Sequence, residues 1–184
     1  KIAVQYWPQG EGGDLRMQNP YWIAYRNPRN TDKKRYMANV SIAFDILPWL
    51  NVSGRAKIDN TNSIFTQKLY ASSNTTITEG STQGHYTEIR NTDEQIYADV
   101  MVNINKTFAD NKFSLVANVG ASVNDTKSKE LSYRGPIREV GIPNMFTVFD
   151  LDKEKSRAQK YGWQEQTQSI FASVEMGYKS MLYL

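Results

Sequence analysis

The chain has 184 residues, no cysteine and a formal net charge of +3, from 22 basic and 19 acidic side chains. Without cysteines it has neither a disulfide framework nor a thiolate metal site. The mean hydropathy is −0.59, and no run approaches the roughly 18 to 20 apolar residues that a membrane-spanning helix needs. We therefore exclude a helical membrane protein. A transmembrane β-barrel stays open, because half of each strand in a barrel faces a wet lumen.

The distribution of charges and the two ends of the sequence further narrow the possible classes of protein. Lys and Arg are scattered among nearly as many acids, without the basic stripe that would indicate a nucleic-acid partner. The first residues, Lys1 to Trp7, contain no charged segment followed by an apolar core, so we identify no signal peptide there. The last residues, Ser180 to Leu184, stop within a strand that has just begun. We expect the sequence to be a piece of a longer protein.

The first two predicted strands, at about 35–47 and 50–59, alternate between apolar and polar side chains. Even positions from Tyr36 to Ile46 are apolar or aromatic, and odd positions from Asn51 to Asp59 are polar or charged. Such alternation predicts strands with one apolar and one hydrated face. Only Pro48 and Trp49 separate the two predicted strands, so we expect a tight turn.

Four further strands follow at about 95–108, 112–125, 166–178 and 181–184, the last one truncated. The third has Ile96, Val100 and Ile104 on one face, and the fourth and fifth alternate in the same way. Asp110-Asn111 and Lys179-Ser180 predict tight reversals, since such residues tolerate turn geometry.

The remaining connections, at about 60–93 and 127–163, are predicted to be long polar loops. Each is roughly three times the length of an ordinary connection in a soluble domain. The stretch 71–86 is small, hydroxylated and interrupted by Gly, and we expect no core of its own there. Short turns at one end of the strands and long loops at the other are typical of an outer-membrane barrel, with the long loops extracellular.

Aromatic residues at the predicted strand ends support the same orientation. Trp49 lies in the first turn, Phe108 precedes the second and Tyr178 precedes the third. Rings at the ends of an apolar band are typical of barrel girdles. The alternative is that the rings cap the core of a β-sandwich.

The predicted hydrated face carries charged and amide side chains on several strands. Taken alone, its carboxylates could be paired acid and base groups, but their spread over four strands at strand spacing favours the lining of a lumen. The lumen-facing candidates are Asp45, Arg55, Lys57, Asp99, Asn103 and Glu175, with Asp59 on the same face.

Three local patterns were weighed as chemical sites and none is favoured. Gly10-Glu11-Gly12-Gly13 lacks the Lys-Ser/Thr of a phosphate-binding loop, so we expect a flexible loop. The alternating carboxylates of 150–154 could hold Ca²⁺, but Lys153 intervenes and no turn glycine is present, which favours a solvated loop. His85 is the single histidine, which argues against His-dependent catalysis, and we expect it to face solvent. The prediction is no metal, no cofactor and no enzyme.

Asn19-Pro20-Tyr21-Trp22 places two large rings after a turn-like dipeptide. Tyr21 and Trp22 could contact a substrate or a covering partner by stacking, or could anchor the end of a loop on the barrel wall. We favour the anchor.

The order of several short segments resembles the SusC/RagA-type TonB-dependent outer-membrane transporters of Bacteroidetes. The matching segments are Asn19 to Trp22 followed by Lys33 to Arg35 and Ala38 to Ser41, then Ile46 to Leu50 with Ser53 to Arg55, Gly141 to Thr147, and Gln168 to Leu184. They cover the chain from about Asn19 to its end, and only the first eighteen residues are unplaced.

The resemblance implies more than the alternation does. It implies an arc of a 22-stranded barrel, a SusD-like surface lipoprotein as partner, energy from the TonB complex, and import of glycans or peptides across the outer membrane with its lipid and lipopolysaccharide. No TonB box or plug domain is recognised in this sequence, so residues 1–184 would be part of the barrel domain. No catalytic residue carries over.

A soluble β-sandwich and a β-rich enzyme are two alternative classes of protein for this sequence. A soluble β-sandwich that binds carbohydrate would use the same alternation to build a core between two sheets. A β-rich enzyme is disfavoured because no nucleophile and base pattern is present. The sequence leaves the cargo open.

Overall fold

The computed structural model describes residues 5, 19–110, 112–179 and 181–183. In chain order it contains α1 (Pro20–Arg26), β1 (Arg29–Leu47), β2 (Leu50–Tyr70), β3 (Gly84–Phe108), β4 (Phe113–Pro136), a 3-10 turn (Val148–Asp150), β5 (Arg157–Tyr178) and β6 (Leu182–Tyr183). The strands form one open sheet in the order β1-β2-β3-β4-β5-β6. The fold is all-β, with antiparallel up-and-down strands, and it is consistent with an arc of a β-barrel. The predicted flexible loop at 10–13 lies outside the described residues.

Three tight turns join β1 to β2, β3 to β4 and β5 to β6, where the sequence predicts them. Pro48 and Trp49 make the first turn. Ala109 and Asp110 in the second have φ angles of 52° and 54°, and Lys179 in the third has a φ of 50°. These left-handed values are those that tight hairpin turns require.

The strand ends away from these turns lie far from the predicted boundaries. β1 begins at 29 rather than 35, β2 ends at 70 rather than 59, and β3 begins at 84 rather than 95. β4 continues to 136 rather than 125, and β5 begins at 157 rather than 166. The predicted loops at 60–93 and 127–163 are therefore wrong in extent, and the connections are 71–83 and 137–156.

The alternation of apolar and polar residues did not predict the strands at these ends, because it reports the environment of the side chains and not the pairing of the backbone. Polar residues occupy both faces of the strand extensions, so the period of two disappears. The strands nevertheless stay in contact there. Lys68 N–H donates to the carbonyl of Pro28 at 3.1 Å, and the Thr92 hydroxyl donates to Asn62 Oδ1 at 2.9 Å.

The chain divides into two compact units. We call Lys1–Lys34, Asn62–Thr92 and Lys129–Gly162 the loop unit, and Arg35–Thr61, Asp93–Ser128 and Trp163–Leu184 the turn unit. Most buried apolar side chains of the described residues belong to the loop unit. They are Trp22, Leu69, Tyr86, Ile137 and Leu151, whereas Ala117 is the buried apolar residue described in the turn unit.

A short helix, α1, begins where the sequence was interpreted as a turn. Asn19 is its N-cap, and the side-chain oxygen accepts a hydrogen bond from the Tyr21 N–H at 3.0 Å. Pro20 occupies the first position, where a missing N–H leaves no helical bond unmade. The helix has only seven residues. Among the described residues, no helix is long and apolar enough to cross a membrane.

Candidate functional surfaces

One face of the sheet in the turn unit carries large apolar side chains that remain exposed. Phe44 is 66% exposed and Ile170 is 87% exposed. The other exposed apolar side chains of this face lie at alternate positions of β1 to β5: Val40, Ile42, Ile46, Ile58, Ile96, Val100, Val119, Val174 and Met176. A soluble protein rarely leaves a continuous apolar face of this kind in water. The face is therefore suited to an apolar environment.

The height of this apolar face can be compared with the thickness of a bilayer. On β1 the apolar positions run from Tyr36 to Ile46, which is eleven residues. At about 3.3 Å per residue they span roughly 33 Å along the strand. Strands of outer-membrane barrels are tilted by about 40°, which projects that length to about 25 Å, the height of the apolar band of such barrels.

The apolar face becomes polar away from the turns. On β4 the residue after Val123 with the same orientation is Asp125, whose carboxylate accepts from Gln164 Nε2 at 2.9 and 3.1 Å. On β3 the corresponding change is from Ile96 to Glu94. The apolar face is thus a band of limited height.

Aromatic rings lie beside the tight turns in the turn unit. The Phe113 and Tyr178 rings are 4.9 Å apart between centroids. Lys106 places its ammonium 4.3 Å from the centroid of the Trp49 ring and 5.3 Å from that of Phe108. The predicted girdle residues therefore flank the apolar band at its turn end, next to a charged group that favours water.

The opposite face of the turn unit is joined across strands by ion pairs. Arg55 Nε donates to Asp99 Oδ2 at 2.9 Å, and Arg35 Nε donates to Asp59 Oδ1 at 2.8 Å. Lys57 Nζ lies 3.7 Å from Asp59 Oδ2. The carboxylates are buried beneath their partners, since the Asp99 side chain is only 2% exposed.

Amide side chains continue this polar face towards the first turn. Asn103 Nδ2 donates to Asn51 Oδ1 at 3.1 Å, and Asn51 Nδ2 donates to Asp45 Oδ1 at 2.8 Å. Five of the six lumen-facing candidates thus lie on one face of β1, β2 and β3. The sixth, Glu175, is exposed on β5, where Ser173 accepts a hydrogen bond from Asn118 at 3.1 Å.

Phe171 interrupts the polar face with an aromatic ring that sequence reasoning did not identify. A side chain added at Gly120 would collide with this ring and would lie 2.9 Å from the carbonyl of Val100. Phe171 therefore covers the backbone of Gly120. A glycine inside a strand is a signal for such a close approach.

In the loop unit, the two longer connections are hydrogen-bonded to each other. The Ser81 hydroxyl donates to the Ile137 carbonyl at 2.6 Å, and Ile137 N–H donates to the carbonyl of Gly84 at 2.9 Å. Thr82 donates to Glu139 twice, from N–H at 2.8 Å and from the hydroxyl at 2.7 Å. Residues of the stretch 71–86, for which we expect no core of its own, are thus buried against the second connection. Hydroxyl groups such as that of Ser81 bond the backbone and allow its burial.

The segment 141–147, which is part of the resemblance, contacts residues 70, 71 and 86. We call this segment and the two hydrogen-bonded connections the loop cluster. Asn144 has a φ of 64°, and its side-chain oxygen accepts from the Ala71 N–H at 2.7 Å. Two residues later Phe146 packs its ring against Tyr70 and Tyr86, with centroid distances of 5.1 and 6.2 Å. Asn tolerates the left-handed conformation that this reversal needs. Sequence reasoning missed the cluster, although Pro143-Asn144 is a turn signal.

A row of three side chains on β3 extends from the ring of Tyr86. The Tyr86 hydroxyl donates to Glu88 Oε2 and Arg90 Nε donates to Glu88 Oε1, both at 2.6 Å. Burial, supported by the carboxylate, raises the pKa of Tyr86 to about 12. Burial alone would raise the pKa of Glu88, but the hydrogen bonds from Tyr86 and Arg90 lower it. The row is a closed structural network with no free acid or base.

His85 does not face solvent, and that expectation is wrong. It belongs to β3 and is buried, with Nε2 3.7 Å from Glu79 Oε1. Nδ1 is buried and has no hydrogen-bond partner among the described residues. Burial lowers the pKa of His85, the nearby Glu79 opposes that shift, and Arg134 and Arg157 reinforce it.

Two of the three carboxylates considered for Ca²⁺, those of Asp150 and Asp152, already have partners. Asp150 accepts from Arg138 at 2.9 Å and from the Thr147 hydroxyl at 2.7 Å. Asp152 Oδ1 accepts from the backbone N–H of Glu154 at 2.9 Å. In the ranges that the structure describes, no three His, Cys, Asp or Glu side chains are grouped as metal ligands.

The two aromatic candidates of α1 lie in different environments. Trp22 is buried, and Tyr21 is 62% exposed. The helix positions them on different sides because successive residues are separated by about 100°.

Comparisons with known proteins are consistent with this fold. No protein-family model and no curated protein sequence matches the chain. Similar chains occur in solved structures of the RagAB peptide transporter (15% identity, TM-score 0.74) and of the RagAB peptide importer in its open-open state (14%, 0.72) and closed-closed state (16%, 0.70). The alignments cover 91% of this chain but only 18% of each of those chains. At this identity the similarity shows a related fold.

Proposed function

We propose that the chain forms part of the wall of a bacterial outer-membrane transporter of the SusC/RagA type. In this proposal the apolar face of the turn unit contacts lipid and lipopolysaccharide acyl chains, and the opposite face lines a lumen through which glycans or peptides are imported. The chain has a mechanical and selective role, without catalysis or a cofactor.

The observation that carries the proposal is the difference between the two faces of the turn unit. The polar face pairs its charges across strands, as in Arg55–Asp99 at 2.9 Å, whereas the apolar face leaves side chains such as Ile170 exposed. In a bilayer, exposure of the apolar face to lipid costs no free energy. Closure into a barrel gives the backbone groups of the outer strands their hydrogen-bond partners.

A β-sandwich requires a second sheet over the apolar face. The described strands form a single sheet, so the carbohydrate-binding sandwich considered from the sequence is not favoured.

The resemblance and the related fold support the remaining parts of the proposal. Import would be coupled to the TonB complex through regions of the protein outside this chain. A SusD-like surface lipoprotein would pair with the barrel. In the loop unit, buried Trp22 would anchor α1, and exposed Tyr21 would be available to the cargo or to that partner.

Cysteine labelling of the full transporter in its native outer membrane tests the proposal. This stretch of chain has no cysteine, so single cysteines at positions 40, 42 and 44 and at positions 39, 41 and 43 can be compared. We expect a lipid-soluble spin label at the even positions to be relaxed by oxygen dissolved in lipid. Labels at the odd positions should be relaxed by a water-soluble nickel chelate.

The matched controls are the adjacent odd and even positions of the same strand, which share backbone and depth. Equal accessibility of both sets to the nickel chelate would contradict a lipid-facing surface. Accessibility of labels at positions 170, 172 and 174 to the nickel chelate would contradict a lipid-facing surface on β5 as well.

A further inference from the structure

The polar face of the turn unit contains a recess beside Arg55. Its volume is about 350 Å³, and it is lined by Ser41, Ala43, Ser53, Arg55, Asp99 and Met101. Ser41, Ala43 and Ser53 are small, so the neighbouring positions of β1 and β2 leave room that larger residues would fill. Two of the three carry hydroxyl groups that can donate hydrogen bonds.

Arg55 presents unused donors to this recess. Its contacts to Asp99 are both made through Nε, at 2.9 and 3.3 Å. Among the described residues, its two terminal NH₂ groups make no further hydrogen bond, and 60% of the side chain is exposed. Arg35 differs, because it uses both Nε and a terminal nitrogen to hold Asp59.

The charges around the recess favour an anion. Of the charged residues, Arg55 and Asp99 line the recess, and the Arg55 side chain is 60% exposed whereas that of Asp99 is 2% exposed. The carboxylates are buried under the guanidinium groups and are therefore less available to an incoming ligand than the positive groups. A planar guanidinium with two free NH₂ groups matches the geometry of a carboxylate.

We propose that the recess beside Arg55 binds a carboxylate group of the imported molecule. The terminal NH₂ groups of Arg55 donate to the carboxylate oxygens, and the hydroxyls of Ser41 and Ser53 donate at the edge of the site. Asp99 holds the guanidinium in place through Nε. This inference rests on the proposed function, since it requires the polar face to line the lumen.

A carboxylate can come from a peptide C-terminus or from an acidic sugar, and the experiment separates the two. Binding to the purified full-length transporter is measured for a labelled heptapeptide acid and its C-terminal amide. It is also measured for a labelled oligogalacturonate and its methyl ester. In at least one pair we expect the free acid to bind about tenfold more tightly than the masked form, from charge-assisted hydrogen bonds.

Two double variants provide a matched comparison. Arg55→Gln with Asp99→Asn removes the proposed site without leaving a buried unpaired carboxylate, and we expect the preference for the free acid to disappear. Arg35→Gln with Asp59→Asn removes the neighbouring ion pair in the same way, and we expect the preference to remain. If the first double variant does not insert into the membrane, Arg55→Lys answers the same question, because it keeps a cation beside Asp99 but lacks the two terminal NH₂ groups.

Three results would overturn the proposal. They are a wild-type transporter that binds neither acid more tightly than its masked form, a preference that persists in Arg55→Gln with Asp99→Asn, and an equal loss of preference in both double variants. None of them bears on the membrane-wall function, which the cysteine labelling tests without any cargo. If the labelling showed water on both faces, the wall function would fail by itself.

Discussion

The loop unit and the turn unit treat the apolar side chains of their strands in opposite ways: one unit buries them and the other leaves them exposed. In the loop unit, Tyr86 and Ile137 are buried where the connections 71–83 and 137–156 are hydrogen-bonded to each other. In the turn unit, Phe44 and Ile170 stand exposed on a sheet of a single layer. The loop unit buries these side chains within the protein, and the turn unit, in the proposed membrane wall, presents them to lipid.

The difference shows where stability comes from in each unit. Burial of about 25 cal/mol per Å² contributes only where apolar area is removed from water by the protein itself. The loop unit gains this contribution on folding. In the proposed membrane wall, the turn unit gains this contribution from the surrounding lipid, together with the cross-strand bonds of its polar face.

The largest effect is expected from Ile137→Ala in the loop unit. Ile137 is 1% exposed, and its backbone is fixed by hydrogen bonds, so the site cannot collapse around the lost atoms. We expect a loss of about 2 to 5 kcal/mol in local stability. Hydrogen exchange of amides 71–83 and 137–156 in the full transporter measures it.

Ile170→Ala in the turn unit is the matched control for this prediction. It removes the same atoms from a side chain that would contact lipid. Because lipid tails are as apolar as the side chain, the change exposes no apolar surface to water. We expect less than about 1 kcal/mol here. Comparable losses at the two positions would remove the proposed contrast between the units.

Charge on the apolar face should have the next largest effect. Val40→Arg places a cation in the apolar band and should cost about 2 to 4 kcal/mol near the bilayer midplane, and a charge at Val102 should act similarly. The same change at Ser41 or Asn103, on the polar face, should be mild. Urea titration of the full transporter in lipid vesicles measures each variant, and similar costs on both faces would refute the assignment.

The turn unit could be predicted from sequence because its side chains alternate wherever its backbone pairs. Tyr36 to Ile46 and Asn51 to Asp59 give both the strands and their faces. In the loop unit polar residues on both faces remove that signal, so the strands there were interpreted as loops. The short turns predict the neighbouring pairs β1–β2, β3–β4 and β5–β6 of the sheet.

The candidate surfaces were predictable to different extents. Membership of Arg55 and Asp99 in one polar face follows from strand period, but their direct pairing depends on register between strands far apart in sequence. The loop cluster depends on contacts such as Thr82 with Glu139, which are separated by 57 positions. No local pattern encodes such a contact, and hydroxyl-rich sequence alone suggests a solvated loop.

A smaller effect is expected from Ser81→Ala in the loop unit. The Ser81 hydroxyl is buried and donates to the Ile137 carbonyl at 2.6 Å. Its loss leaves that carbonyl with one partner fewer and should cost about 1 to 3 kcal/mol. Hydrogen exchange of 137–156 measures the change, and Ser53→Ala, in the turn unit, should leave that exchange unaffected. Unchanged exchange in Ser81→Ala would show that the two connections are held by other contacts.

The smallest effect should be a dependence of the loop unit on pH through His85. Burial lowers the pKa of His85 in the folded chain, while the unfolded chain keeps the ordinary value of about 6.5. Below about pH 6.5 the unfolded state therefore binds more protons, so stability is full above that pH and is lost as the pH falls towards the folded pKa.

Protonation of His85 places a cation near Arg134 and Arg157, and among the described residues Glu79 is the carboxylate that compensates it. We therefore expect amide exchange in 71–83 to accelerate between pH 7 and pH 5, after correction for intrinsic rates, while amides of the turn unit do not follow. His85→Gln should abolish this dependence, because it keeps a polar side chain that does not titrate. An acceleration that persists in His85→Gln would assign the pH response to another group.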